Sequence, residues 1–329
     1  MSRSPLKVLT WVITLAILFG GIWAFTHRQQ LVDNYVASRF TLSSDMQQIG
    51  AQLQLTDQGT FLLKASQATI ANREGFNKNC EKKEKNSIVL GCYIHPHNLY
   101  VFNVTDSRLK GAVQTTTAHE MLHAVYTRLS QDKQAQITIL IDQALPEAMK
   151  QDPSLTKRLE LYDRIEPGER YNELHSIIGT EVNNIPQELE DHYRHYFRNR
   201  SLVVAEAGRY TKVMTDLQQQ QKSLVDELNQ KAQRITADSE QYNYDITALN
   251  NAIEDFNSRA ESANFLSQTE FDSERTALQS RIAELKNRQL QINNNVAAYN
   301  SQREELLALN ITVQELNNQL DSTSVPQVQ

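Results

Sequence analysis

Hydrophobic and polar positions divide the chain into three stretches of different character. Over 8–25 it reads VLTWVITLAILFGGIWAF, apolar and uncharged, which matches the roughly 17 to 25 residues that cross a bilayer as a helix. No charged position gives this run the outward face of a core helix. From 30 to 75 the pattern is mixed and predicts a helix over 43–55 and a short strand over 61–63. Two β-branched and aromatic runs, SIVLGCYI and NLYVFNV, flank His95-Pro96-His97 and predict a β-hairpin over 87–104. Helical spacing follows at Ala118, Met121, Leu122, Val125 and Leu129, giving a helix over 115–129 with its leading threonines available as N-caps. Prolines 153, 167 and 186 then bound helices over 131–150, 154–165, 171–182 and from 186 onward.

Beyond about residue 210 glycine disappears and the only proline lies in the tail. Leu278, Ile282, Leu285, Ile292, Val296, Tyr299, Leu306, Val313 and Leu320 recur on alternating four- and three-residue steps, with Gln289, Arg303, Asn310 and Asn317 filling the remaining seam positions. Leu217, Leu224, Leu228, Ile235, Tyr242, Leu249, Ile253 and Phe256 form a second heptad seam, irregular near Tyr242. The segment ESANFLSQTEFD interrupts the two, which predicts an antiparallel helical hairpin, with intermolecular pairing of the seams as the alternative.

Composition narrows the function classes. The chain has 329 residues, 40% hydrophobic and 22% charged, with a net charge of −6. That balance offers no basic stripe for phosphates, so nucleic acid is not an expected partner. Ten glycines and seven prolines are few for an all-β protein needing many tight turns. Trp11 and Trp23 stand near the ends of the apolar run, and Arg3 and Lys7 precede it. The positive-inside rule then places the N-terminus in the cytoplasm and the body outside. A cleaved signal peptide is the rival, but the positions ahead of Gly21 and Phe25 fit small-residue cleavage poorly. Cys80 and Cys92 lie in one short segment and form no C-x-x-C pair. In an oxidising compartment they are expected to bridge, for roughly 3 kcal/mol; in the cytosol they would be free thiols. An uncleaved anchor and a disulfide-permissive body suit a bacterial envelope.

The chemistry resides in His119-Glu120-Met121-Leu122-His123. Histidines at i and i+4 project from one helix face, so both imidazoles reach one Zn2+ ion while the intervening glutamate lies beside it. Zinc lowers the pKa of its water toward 7, and Glu120 then serves as base and afterwards as acid to the leaving amine. Apolar neighbours on the same helix allow it to be buried, as a rigid site needs. The bland reading makes Glu120 a capping-box partner of Thr117. A catalytic zinc also takes a third protein ligand. Glu181, before the helix break at 183–186, is one candidate, while Tyr126 and Leu129 stand where a metzincin has glycine and histidine. His95 and His97 flank a proline in a turn and are expected to be exposed, with a second metal site there as the alternative.

Together with Asn172-Glu173-Leu174-His175-Ser176 downstream, the HEMLH motif resembles the gluzincins. In the thermolysin-like branch of that group an N-E-x-x-S-D segment on a second helix supplies a glutamate ligand. The resemblance implies Glu173 as the third ligand, in preference to Glu181. It departs from that branch at Ile177, where the branch has aspartate, so the group orienting a ligating histidine must come from elsewhere. Oxyanion stabilisers are sought among His175, Tyr171 and Tyr193. The resemblance further implies a strand edge that binds peptide in extended form, with NLYVFNV as the candidate.

These expectations give an α+β fold: a transmembrane anchor within 1–29, a mostly helical zinc peptidase domain with a small sheet over 30–205, a coiled-coil hairpin over 206–322 and a disordered tail over 323–329. The expected function is a membrane-anchored zinc metallopeptidase acting on peptides or proteins, its coiled coil free to engage a partner or itself. The alternative is a non-catalytic envelope scaffold working through the coiled coil. Retention of Glu120, which is not a ligand, argues for chemistry.

Overall fold

The computed structural model describes residues 5–80, 89–165 and 167–322, with side chains in the first helix described at Leu9 and from Thr14 onward. The structure is mostly helical with one small sheet and divides into two compact units, Met1–Val213 with Leu316–Gln329, and Met214–Glu315. The predicted tail over 323–329, the N-terminal tip and the first two residues of the predicted hairpin lie outside the described residues.

In the first unit the order is α1 (Pro5–Thr26), α2 (Arg28–Arg39), α3 (Ser44–Gln52), α4 (Asp57–Ala65), β1 (Thr69–Ala71), α5 (Arg73–Asn79), β2 (Gly91–Ile94), β3 (Asn98–Phe102), a 3-10 turn, α6 (Ala112–Tyr126), α7 (Gln131–Gln151), α8 (Leu155–Ile165), α9 (Arg170–Glu181) and α10 (Gln187–Tyr193). α11 (Arg200–Glu261) begins here, and α12 (Gln268–Leu320) ends here. Among the described residues no helix is long and apolar enough to cross a membrane; α1 contains the run expected to do so.

Local signals explain most boundaries. Ser43, Thr56, Asn72 and Ser130 each accept a hydrogen bond from a backbone N–H one turn into α3, α4, α5 and α7, as N-caps do. The Thr56 cap corrects one expectation: 61–63 is no strand but the middle of α4, with Leu62, Leu63 and Ala65 turned into the core. A second correction concerns α6, which starts before the threonines expected to cap it. Its N-cap is Gly111 at φ +99°, backed by the main-chain carbonyl of Glu206, a conformation that favours glycine. Thr117 therefore lies inside the helix, where its hydroxyl donates to Val113 O at 2.7 Å, and forms no capping box with Glu120.

The sheet has the order β1-β3-β2, with β1 parallel and β2 antiparallel to β3. Strand β3 is thus central, so NLYVFNV is not the exposed edge expected from sequence. Both of its sides are already paired, and β2 is the edge that faces α6. The hairpin is pinned to the end of α6 by Arg128, which donates to Asp33 Oδ2 at 2.9 Å, Asp33 Oδ1 at 3.0 Å, Tyr93 OH at 2.7 Å, Pro96 O at 2.9 Å and Ala124 O at 2.9 Å. Below it the core gathers Ala118, Met121, Leu122 and Val125 of α6, Leu174, Ile177 and Ile178 of α9, Ile137 and Ile141 of α7, and Leu99 and Val101 of β3.

One buried cation holds the end of α9. Arg200, 3% exposed, donates to Val182 O at 2.6 Å, Asn183 O at 2.9 Å and Ile178 O at 3.3 Å and pairs with Glu190 at 2.8 Å. These carbonyls are the ones a helix C-terminus leaves without intrahelical partners. Arg200→Ala is expected to destabilise the chain by roughly 3 to 5 kcal/mol, because Glu190 loses its buried partner. Thermal unfolding should show a fall of about 10 °C in melting temperature.

In the second unit α11 and α12 are joined by a short turn around Phe265. Gln221 bonds Asn310 at 2.6 Å, Gln302 bonds Glu227 at 3.1 Å, Arg288 bonds Asp245 at 2.6 Å, and Arg259 pairs with Glu274. Partners descend one helix as they ascend the other, so the pair is an antiparallel hairpin. Its seam buries Leu228, Leu249, Phe256 and Leu278.

Candidate metal centre

α6 and α9 pack face to face and bring three donors together. The nitrogens His119 Nε2 and His123 Nε2 are 3.1 Å apart, Glu173 Oε1 is 3.5 Å from His123 Nε2, and Glu173 Oε2 is 3.7 Å from His119 Nε2. Ligands about 2.0 to 2.2 Å from a tetrahedral ion stand roughly 3.3 to 3.6 Å from one another. The donor spacing fits that geometry. The chemistry of the set fits too: two imidazoles and a carboxylate, all within 4.8 Å, form the only such group of three or more among the described residues. Glu173 Oε2 is fully buried and has no hydrogen-bond partner, which is costly for a carboxylate oxygen and is relieved by a cation between it and the imidazoles. The group can hold a metal ion.

Outer contacts fix the donors. His123 Nδ1 lies 3.0 Å from Asn172 Oδ1, and Asn172 Nδ2 donates to Glu169 Oε2 at 2.8 Å. Asn172 thus takes the orienting role that Ile177 cannot, holding the His123 tautomer with Nδ1 protonated and Nε2 free to ligate. Burial pushes the Glu173 carboxyl up, but contact with His119 and the fields of His123, His119 and Arg158 outweigh it and keep the group below the usual carboxylate range. Glu120 is 7% exposed and stands on the same helix between the two histidines. Tyr162 of α8 escaped the sequence reading. Its phenol is raised by burial and then by Glu173, with Glu120 adding to the effect, so it lies within the field of the same carboxylates; a lone tyrosine in an amphipathic helix carries no signal of this.

The other sequence candidates are placed elsewhere. Glu181 is engaged by Arg158 at 2.8 and 3.0 Å and is no member of the cluster. His175 is fully buried with Nε2 2.9 Å from His192 Nε2, and Tyr193, equally buried, donates to His175 O at 2.7 Å. Tyr171 donates to Asp142 at 3.1 Å on the surface. His175 Nε2 and the hydroxyls of Tyr193 and Tyr171 are thus each taken up by partners other than the metal donors. His97 Nδ1 lies 3.2 Å from Ala65 O, and His95 Nδ1 lies 3.5 Å from Tyr93 OH; the two belong to no metal group. Cys80 and Cys92 form a disulfide with a Cα separation of 5.9 Å, tying the end of α5 to β2.

The His175–His192 pair has a consequence for stability. Burial first, then the charges of His195 and Lys133, push His192 down to about 4 from its ordinary 6.5. The folded state therefore favours the neutral ring, and the unfolded chain binds more protons between those values. His192 stability is full above about pH 6.5 and is lost as pH falls toward 4, up to about 3 kcal/mol at 1.36 kcal/mol per unit. Urea unfolding of the wild type at pH 7.5 and 5 should show about 2 kcal/mol of that loss, the part that falls above pH 5, and His192→Gln should show a smaller one.

Comparison with protein-family models, with curated proteins and with solved structures finds no match to this chain.

Proposed function

We propose that this chain is a zinc-dependent peptidase of gluzincin-like design, with His119, His123 and Glu173 as ligands and Glu120 as the general base. The observation that carries the reading is Glu120 itself. It is a buried carboxylate on α6 between the two histidine donors in sequence without belonging to the three-donor cluster, and a site that only stored a metal would have no use for it. Two imidazoles and one carboxylate are a donor set that catalytic zinc takes, and zinc, when bound, would supply a Lewis acid that polarises a carbonyl and lowers the pKa of water toward 7.

The chain's own groups supply the rest. Glu120 takes the proton of the attacking water and delivers it to the leaving amine. Asn172, held by Glu169, orients His123. The edge strand β2 receives the peptide: Phe102 N donates to Leu90 O, so by the antiparallel alternation Leu90, Cys92 and Ile94 pair with β3 while Gly91 and Tyr93 present N–H and C=O outward. An extended peptide adds there as a further strand.

The same reading puts α1 in a membrane with the body outside the cytoplasm. Ile17, Phe19 and Phe25 are each 69% exposed, and lipid would cover such a patch. The oxidised Cys80–Cys92 bridge agrees with an extracytoplasmic body. The reading is tested with the zinc-loaded chain and a mixture of quenched-fluorescent peptides, using Glu120→Gln as control: hydrolysis by the wild type alone supports it, and equal rates in both proteins refute it.

A further inference from the structure

Gly91 opens β2 directly against Glu120. A Cβ at this position would stand 2.6 Å from Glu120 Cγ, 2.7 Å from Glu120 Oε1 and 2.6 Å from Thr116 Cγ2, well inside the roughly 3.5 to 4.0 Å at which carbon atoms rest against each other. The need for glycine here is spatial rather than conformational. Gly111 and Gly168 are the glycines at positive φ among the described residues, and Gly91 is not one of them. All three obstructed atoms belong to side chains on one face of α6, one turn apart, and none to the main chain.

We infer that Gly91 is a positioning residue of the hydrolytic site: the side chain it lacks is what seats the Glu120 carboxylate beside the metal donors. The inference rests on the reading of Glu120 as the base. Gly91 links that base to the substrate. Its Cα faces α6, and by the antiparallel alternation its N–H and C=O lie in the plane of the sheet on the edge to which no further strand is paired among the described residues, where a peptide strand would run about 4.8 Å away. One residue thus sets both the place of the base and the line along which the substrate backbone passes it. An added methyl group meets side-chain atoms only, so its relief is a turn of the Glu120 side chain, which moves the carboxylate, together with a change of the Thr116 rotamer. A displacement of about 1 Å at a reacting group costs on the order of 10²-fold in rate.

The test is the zinc-loaded full chain carrying Gly91→Ala, compared with wild type. It should keep one equivalent of zinc and melt close to wild type. Its crystal structure should show the Glu120 carboxylate turned from its wild-type position, and kcat on quenched-fluorescent peptides should fall on the order of 10²-fold with KM within about threefold. Glu120 in its wild-type place, or an unchanged kcat, overturns the inference. If Gly91→Ala does not fold, Gly91→Ala with Thr116→Ala, which removes the second obstruction, is read in the same way. If the wild type hydrolyses no peptide, the peptidase reading falls alone, and the position of Glu120 in the two zinc-loaded structures still decides the role of Gly91.

Discussion

Glu173→Gln is expected to strip the metal from this chain, while Glu181→Gln leaves it bound. The two glutamates lie on one helix, and sequence alone leaves both as candidates. Their surroundings separate them. Glu173 reaches both imidazoles, at 3.5 and 3.7 Å, and its Oε2 has no other partner. Glu181 is spent on Arg158, with each oxygen taking one guanidinium nitrogen. An amide at 173 keeps the volume but removes the charge and one acceptor, so affinity should fall by far more than the 10- to 100-fold typical of changes in outer-shell groups. Glu181→Gln should only weaken a partly exposed ion pair, by about 1 kcal/mol or less. Metal analysis after zinc reconstitution and dialysis reads both variants. Zinc retained by Glu173→Gln and lost from Glu181→Gln would reverse the ligand assignment.

Glu120→Gln is expected to separate binding from chemistry. The variant should hold one equivalent of zinc and unfold as the wild type does, yet lose hydrolysis by about 10²- to 10⁴-fold in kcat, the usual worth of a positioned acid and base. KM should change little, because the amide leaves the peptide edge of β2 in place. The paired measurement matters here. Loss of zinc along with activity would make Glu120 a structural element of the cluster, and unchanged turnover would remove it from the mechanism.

Legibility from sequence followed the range of the interactions involved. His119, Glu120 and His123 were readable because the i, i+4 relation is local and helical pattern surrounds it. The two long helices and the break between them were readable for the same reason, but the α12 seam only in part. Leu278, Leu285, Ile292, Tyr299, Leu306, Val313 and Leu320 are covered, whereas Ile282 and Val296, 46% and 37% exposed, and Gln289, Arg303, Asn310 and Asn317 face out. Arg288, Gln302, Leu309 and Leu316 take the inner positions instead. Long-range relations were not readable. β1 is three residues long and pairs with β3 across a wide sequence gap; nothing in either run announces the pairing, and so the central strand passed for an edge. Phe61, Leu62 and Leu63 form a short apolar run that suits a strand or a buried helix equally, and the Thr56 cap decided for the helix. The histidine-orienting role of Asn172, the Arg158 engagement of Glu181 and the approach of Tyr162 depend on how α8, α9 and α6 pack, which no single segment encodes. His175, adjacent in sequence to the metal donors, points instead to His192.

The zinc content of the purified chain, measured after reconstitution beside His119→Ala, tests the central claim most directly. One equivalent in the wild type and none in the variant is the predicted result; no stoichiometric metal in the wild type, or equal metal in both, would contradict it.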